Sequence, residues 1–502
     1  MRKLACLIVL IIIGIVFLSI GIVFPIIFPS IFEKMLVKKL TLRPGSPTMK
    51  SFENPPVPIY MQFYIFNVTN VDDILQNGAK PDLQQVGPYT YFETRQKYDF
   101  HWNDEKGTIT FRQNKTFFFK PELSGSLRET DMITTINPIM IGIAAKNIPS
   151  FVLGLWTLRY NLSPFITRSV GELLFHGYDD PILLQLGELT QDPNHLSGKF
   201  GFFYPRNNSN DGTYEIYTGA KGMDNYQFIS EWRGKDKLDF WTRDDCNMIN
   251  GTEGSQFPRP VSKDTPIRLY TSELCRSIYA VFEKEVKHGS VTLYRFVLPK
   301  ILLADTEENR CYCPDNFTCR ASMINIAPCK KGSPVVISTP HFFHGSKEDV
   351  DLLKGLNPNK DEHETFLDLE PNTGVVFRAA KRIQINMPLR PYADHPSLKK
   401  VSESILPIMW VNESAVVPIE RANQVQSNLT LPVVIVTYGG WALVALGAIF
   451  ILIGIIMAVK MCKEDKSEKP KQSQRHDRIT DTSTKENGPE IHSLITKTNS
   501  SF

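Results

Sequence analysis

Apolar and polar positions divide the chain into two textures. Residues 4–28 and 431–459 carry no charged side chain. Each run exceeds the about 20 residues that a helix rising ~1.5 Å per residue needs to cross a bilayer. A cleavable signal would have an apolar stretch of only about 7–15 residues before a small-residue cleavage site. The first run is longer and ends at Pro25, Phe28 and Pro29, so it reads as an uncleaved anchor. Between the two runs, apolar and charged positions interleave and predict short strands. Runs at 59–68, 108–111, 117–119, 200–204, 214–218, 278–282, 292–298, 335–338, 375–379 and 383–387 are rich in β-branched and aromatic residues and bounded by Gly, Pro, Asn and Asp. Alternation is clearest in IYMQFYIFNV (59–68).

Many short strands without a fixed repeat predict an α+β chain. Its main body should be one large antiparallel, β-barrel-like domain with helical insertions. The insertion at 130–160 is largely apolar, and Pro138 and Pro149 should break it into short helices. It reads either as a buried core element or as an exposed apolar cap, with Lys146 and Arg159 at its polar margins as candidate ligand contacts. Within the two spans, Gly14 and Gly21, and Gly440, Gly447 and Gly454, recur every seven residues. That is two helical turns, so each set lines one face and lets helices approach closely. The spans should pack on these faces or pair between protomers of a homo-oligomer.

Charge sets the orientation. The 56 basic and 53 acidic residues leave a net +3, which excludes the basic field of a nucleic-acid binder. Arg2 and Lys3 precede the first span, and Lys460, Lys463 and Lys466 follow the second, so both ends should be cytoplasmic. Lys34, Lys38 and Lys39 argue the other way, but a long domain translocates despite its charge. The expected division is a stub at 1–3, a span at 4–28, an ectodomain at 29–430, a span at 431–459 and a tail at 460–502. Asn67, Asn114, Asn161, Asn207, Asn250, Asn316, Asn412 and Asn428 each open an Asn-x-Ser/Thr sequon. Asn161 is the weakest, because Pro164 follows its Ser. Eight sequons put the ectodomain in the secretory lumen or outside the cell.

The cysteines divide accordingly. Cys6 and Cys462 sit at the cytoplasmic edges of the spans and are candidates for S-palmitoylation. Cys246, Cys275, Cys311, Cys313, Cys319 and Cys329 lie in the ectodomain, and an even set in an oxidising compartment reads as disulfides. A zinc site is the rival, but the set lacks paired C-x2-C units and encloses the Asn316 sequon. A direct Cys311–Cys313 bond would be strained. A Cys313–Cys319 loop is relaxed, which leaves Cys311 to Cys246, Cys275 or Cys329. No G-x-S-x-G, H-E-x-x-H or P-loop pattern occurs, so no enzyme and no cofactor is expected. His341 and His344, or Asp361, His363 and Glu364, make a metal site only on paper.

Two terminal spans, a glycosylated loop and the cysteine cluster resemble the class B scavenger receptors. The resemblance rests on QFYIFNVTN (62–70), VGPYTY (86–91), CNMINGT (246–252), CRSIYAVFE (275–283), YRFVLP (294–299), PHFF (340–343), GLNPN (355–359), HETFLDLEP (363–371), AAKRIQIN (379–386) and ILPIMWVNES (405–414). It implies a barrel core with a helical apex and an internal apolar tunnel that carries lipid towards the membrane. It also implies the pairs Cys246–Cys311, Cys275–Cys329 and Cys313–Cys319. Counting back without gaps from Gly171-Glu172-Leu173-Leu174, Arg159 falls where the fatty-acid translocase of that family has an apex lysine tied to anionic ligands. The implied partners are lipids, fatty acids, lipoproteins or anionic phospholipids, and a protein ligand at the apex. In the tail, Glu490, Leu494 and Ile495 fit an acidic dileucine sorting signal like that of the family's lysosomal member. The resemblance therefore implies a receptor at the cell membrane, or one of the endosome or lysosome membrane that carries an enzyme or exports lipid.

Overall fold

The structure, a computed structural model, describes residues 2–145, 150–190, 197–313, 319–392 and 396–473. It separates into two compact units, one of residues 33–429 and one of residues 1–32 with 430–502.

The smaller unit holds the apolar runs. The helices Arg2–Leu40 and Ile419–Ser473 are each long and apolar enough to cross a membrane. Both outlast the uncharged runs, and the first continues through Pro25 and Pro29. The seven-residue glycines meet across the pair. A methyl group on Gly14 would lie 2.9 Å from the Gly447 carbonyl oxygen, and one on Gly21 would lie 2.7 Å from that of Gly440. Backbone thus packs on backbone where any side chain would collide. The two helices of one chain use these faces on each other, and Phe17 and Phe450 pack alongside with ring centroids 5.9 Å apart.

The larger unit is built on a nearly closed antiparallel, barrel-like sheet. Its path runs Ile267–Thr271, Arg276–His288, Val291–Val297, Phe366–Leu369, Val376–Leu389, Ser404–Val416, Ile59–Val68, Leu83–Asn103, Thr108–Phe119, Thr213–Tyr217 and Ile229–Trp232. Ile59–Val68 has the predicted limits. The runs at 108–111 and 117–119 are one strand, as are those at 375–379 and 383–387. The polar residues between them stay in the hydrogen-bonded ladder, which does not depend on side-chain polarity. Residues 200–204 form turns apart from the two-residue strand Lys199–Phe200.

The 130–160 insertion begins as a strand, Met132–Ile136, paired with Phe165–Ser169. The helix Pro138–Ala144 follows. Pro138 starts this helix rather than breaking one. It takes the first position, where no N–H is needed, and Asn137 Oδ1 accepts the N–H groups of Ile139 and Met140. Pro149 lies outside the described residues, and the helix Ser150–Tyr160 comes after it.

Four apolar clusters fill the unit, two of them large. One gathers Phe63, Phe66, Tyr89, Ile141, Leu174 and Met409. The other gathers Leu42, Phe111, Ile216, Tyr226, Trp241, Cys246 and Cys275. Disulfides join Cys246 to Cys311, Cys275 to Cys329 and Cys313 to Cys319.

Candidate functional site

A cavity of about 270 Å³ lies within the larger unit. Its wall follows from strand periodicity. Side chains alternate faces along a strand, so odd-numbered positions of one strand share a side. The register sets Met61 opposite Glu413, Lys381 opposite Glu413, Glu93 opposite Phe117 and Arg95 opposite Lys115. Met61, Glu93, Gln113, Lys115, Phe117, Lys381, Ile383, Val411 and Glu413, all odd-numbered and from five adjacent strands, line the cavity. The opposite wall brings Asp211, Trp232, Phe240, Glu273 and the Cys275–Cys329 bridge.

The wall is mixed, with apolar side chains and a layer of paired charges. Arg95 bonds Glu93 through Nε at 2.7 Å and Glu413 through its other guanidinium nitrogen. Lys381 Nζ lies 3.1 Å from Glu273 and 3.4 Å from Glu413. Lys97, almost fully buried, lies 3.3 Å from Glu253 and 4.1 Å from the centroid of the Phe52 ring. Burial alone would raise the Glu413 carboxyl, but Lys381 and Arg95 outweigh it and hold the group well below the usual carboxylate range. Glu273 is lowered in the same way by Lys381 and Lys115. Desolvation wins at Lys97, whose pKa is pushed down. The alternation Glu93-x-Arg95-x-Lys97 was visible in the sequence, but alternation cannot say which face is inside. The usual assumption of an apolar inside points the wrong way here.

The residues singled out from the sequence are dispersed. Arg159 ends the helix Ser150–Tyr160, exposed, with its guanidinium 5.3 Å from the Tyr160 ring centroid. Leu155 and Leu158 beside it are 60% and 86% exposed, while Trp156 and Tyr160 pack on the first apolar cluster. This insertion therefore gives a buried helix, Pro138–Ala144, followed by one with a bare apolar edge. Lys146, Asn316, Glu490, Leu494 and Ile495 lie outside the described residues. Asn161, Asn207 and Asn428 are exposed, while Asn67, Asn114, Asn250 and Asn412 are half-buried. Asn412 Nδ2, the atom a glycan would take, donates to Gln62 Oε1 at 2.9 Å. Cys6 and Cys462 are free and exposed.

His341 and His363 form a stacked pair, rings 4.4 Å apart and 14° from parallel. His341 Nδ1 accepts the Asn357 N–H, and its Nε2 lies 2.7 Å from Gln85 Oε1, which also accepts the Trp410 indole N–H. Nε2 must therefore carry the proton. His363 Nδ1 accepts the Asn359 N–H. Both rings are satisfied only when neutral. Among the described residues no group of three or more His, Cys, Asp or Glu is poised to hold a metal ion.

The chain matches the model of the CD36 family over residues 11–458. It is 38% identical over 437 residues to Lysosome membrane protein 2 of Mus musculus, covering 86% of this chain and 89% of that protein. The human protein of that name is 36% identical over the same coverage. Scavenger receptor class B member 1 of Bos taurus is 30% identical over 457 residues, 89% of this chain and 88% of that one. The match takes in the whole barrel-like sheet and most of both apolar helices, so this chain belongs to the CD36 family, the class B scavenger receptors.

Proposed function

We propose that this chain is a two-pass membrane receptor, not an enzyme, that binds lipid or lipoprotein ligands and passes a hydrophobic ligand through its ectodomain to the bilayer. The supporting observation is the cavity of about 270 Å³, whose wall joins apolar side chains such as Phe117, Phe203 and Val411 to a layer of paired charges. Each methylene that lies against the apolar part of this wall contributes about 0.8 kcal/mol, which a chain crossing open water would forfeit. In this reading both termini are cytoplasmic, residues 29–430 face the lumen or the exterior, and ligand is first met at the bare Leu155 and Leu158 edge beside Arg159. Met61 lines the cavity. Met61→Trp should cut uptake of a labelled long-chain fatty acid by cells several-fold while leaving surface level and lipoprotein binding unchanged. Equal loss of binding and uptake would rule out passage through the interior.

A second reading concerns the compartment. The relatives named Lysosome membrane protein 2, together with Glu490, Leu494 and Ile495 in the tail, favour the endosome or lysosome membrane. Leu494→Ala with Ile495→Ala should then move the chain to the cell surface, measured by surface labelling. A surface fraction that does not change would discard the lysosomal reading.

A further inference from the structure

Outward-facing positions of a sheet with one buried face are ordinarily polar, so a patch of large apolar side chains there is informative. Met61, Glu93 and Phe117 line the cavity, so the even-numbered positions beside them face out. Three aromatic side chains stand side by side on that outer face. Tyr60 is opposite Phe92, and Phe92 is opposite Phe118. The Tyr60 and Phe92 rings are 5.8 Å apart, and Lys120 Nζ lies 5.9 Å from the Phe92 ring centroid. Phe118 is 51% exposed, and Tyr60 and Phe92 are half-buried. The adjoining strand Ser404–Val416 brings a sequon to this row. Ser414 is opposite Tyr60, and Asn412 is opposite Gln62, which shares a face with Tyr60 two residues along. Asn412 Nδ2 donates to Gln62 Oε1 at 2.9 Å. An N-linked sugar replaces one of the two Nδ2 hydrogens, and the other keeps this bond. The amide is thereby held towards the strand that carries Tyr60.

We propose that the aromatic row Tyr60, Phe92 and Phe118 is a dock for the N-glycan of Asn412, whose core sugars lie across the outside of the sheet with their apolar faces on the three rings. This rests on the reading that places residues 29–430 in the lumen or outside the cell, and it adds what covers this part of the barrel wall. The chemistry matches. A pyranose ring presents C–H groups on its face and hydroxyls at its rim. The C–H groups carry a partial positive charge, and the face of an aromatic ring carries a partial negative one. Contact also takes apolar surface of both out of water. The spacing matches as well. Adjacent strands lie ~4.8 Å apart, comparable to the length of one pyranose ring. Successive sugars starting from Asn412 therefore reach Tyr60, Phe92 and Phe118 in that order. The sequon at Asn114 shares this outer face but is opposite Gln96, not an aromatic residue. It also stands four residues from Phe118, roughly 13 Å along the strand.

The test uses the full-length chain made in glycosylating eukaryotic cells and purified in detergent. Glycopeptide mass spectrometry should find Asn412 occupied. Hydroxyl-radical labelling then reads how open the row is. Asn412→Gln and Ser414→Ala each abolish the sequon, through different side chains. Both should raise labelling of Tyr60, Phe92 and Phe118 about tenfold, the factor for one or two aromatic contacts, and leave the exposed Leu158 unchanged. Tyr60→Ser with Phe92→Ser keeps the sequon and should speed enzymatic release of the Asn412 glycan from the folded chain by a similar factor. An unoccupied Asn412, or labelling that neither sequon variant changes, would overturn the dock while the lumenal reading stood on the other sequons. Protection lost on dilution would give the row to a second copy of the chain, and protection lost with Thr116→Ala would give it to the Asn114 glycan; either result overturns the proposal. A chain with no glycan at any sequon would take the lumenal reading down with it.

Discussion

Glu413→Gln should cost about 3–5 kcal/mol of folding stability, the amount lost when one partner of a buried ion pair is removed. The carboxylate serves two cations at once, Arg95 and Lys381. It sits in the Ser404–Val416 strand, between Ile59–Val68 and Val376–Leu389. Glutamine keeps the shape and removes the charge, so each cation loses one of its two carboxylate partners. Glu93 still holds Arg95 and Glu273 still holds Lys381, which keeps the loss finite. Thermal unfolding of the full chain in detergent at pH 7 should show a melting temperature several degrees lower. Adding Lys381→Met should not recover it, because Lys381 also holds Glu273, which would be left with Lys115 at 3.8 Å. If Glu413→Gln melted with the unaltered chain, the network would be solvated and not buried.

This layer is also where reading the sequence stopped short. The Ile59–Val68 strand was legible end to end because its apolar positions alternate and its neighbours are turn formers. Leu83–Asn103 was not, since 21 residues with charges at 93, 95 and 97 look like a polar connection. Only pairing with Ile59–Val68 and Thr108–Phe119 makes it a strand. Pro138 was legible as punctuation but not as a start, because the Asn137 cap shows itself only with the turn formed. Of the candidate site, the disulfide framework was accessible through the family resemblance. The charge layer was not, because Glu413 meets Arg95 and Lys381 across 318 and 32 residues of chain.

Acidification should destabilise the fold between pH 6.5 and 4.5, mainly through His341 and His363. Both rings are almost fully buried. Burial, then the neighbouring His363, lower the His341 pKa to about 3, and burial, then Arg382, lower that of His363 to about 4. An unfolded histidine takes up a proton near pH 6.5, while these two resist it. The stability they contribute is therefore complete above pH 6.5 and is lost as pH falls towards their folded values. At about 1.4 kcal/mol per pH unit per group, the loss at pH 4.5 is about 2–3 kcal/mol each. Glu273 and Glu413, held low by their cations, keep their charge in this window, so their share is lost only at lower pH. His341→Gln with His363→Gln should flatten the fall in melting temperature between pH 6.5 and 4.5 by more than half. An undiminished slope in the double variant would assign the acid sensitivity to other groups.

The place of Ser404–Val416 in the sheet has a consequence in time. It pairs Ile59 with Ala415 and Phe63 with Val411, so the first strand made waits for the last. At ~5–20 residues per second of synthesis, the edge of Ile59–Val68 stays without that neighbour for roughly 17–70 s. Through that interval the emerging chain carries an open, aromatic-rich strand edge. In the proposed topology its sequons would reach the lumen in order from Asn67 onward, long before the sheet can close.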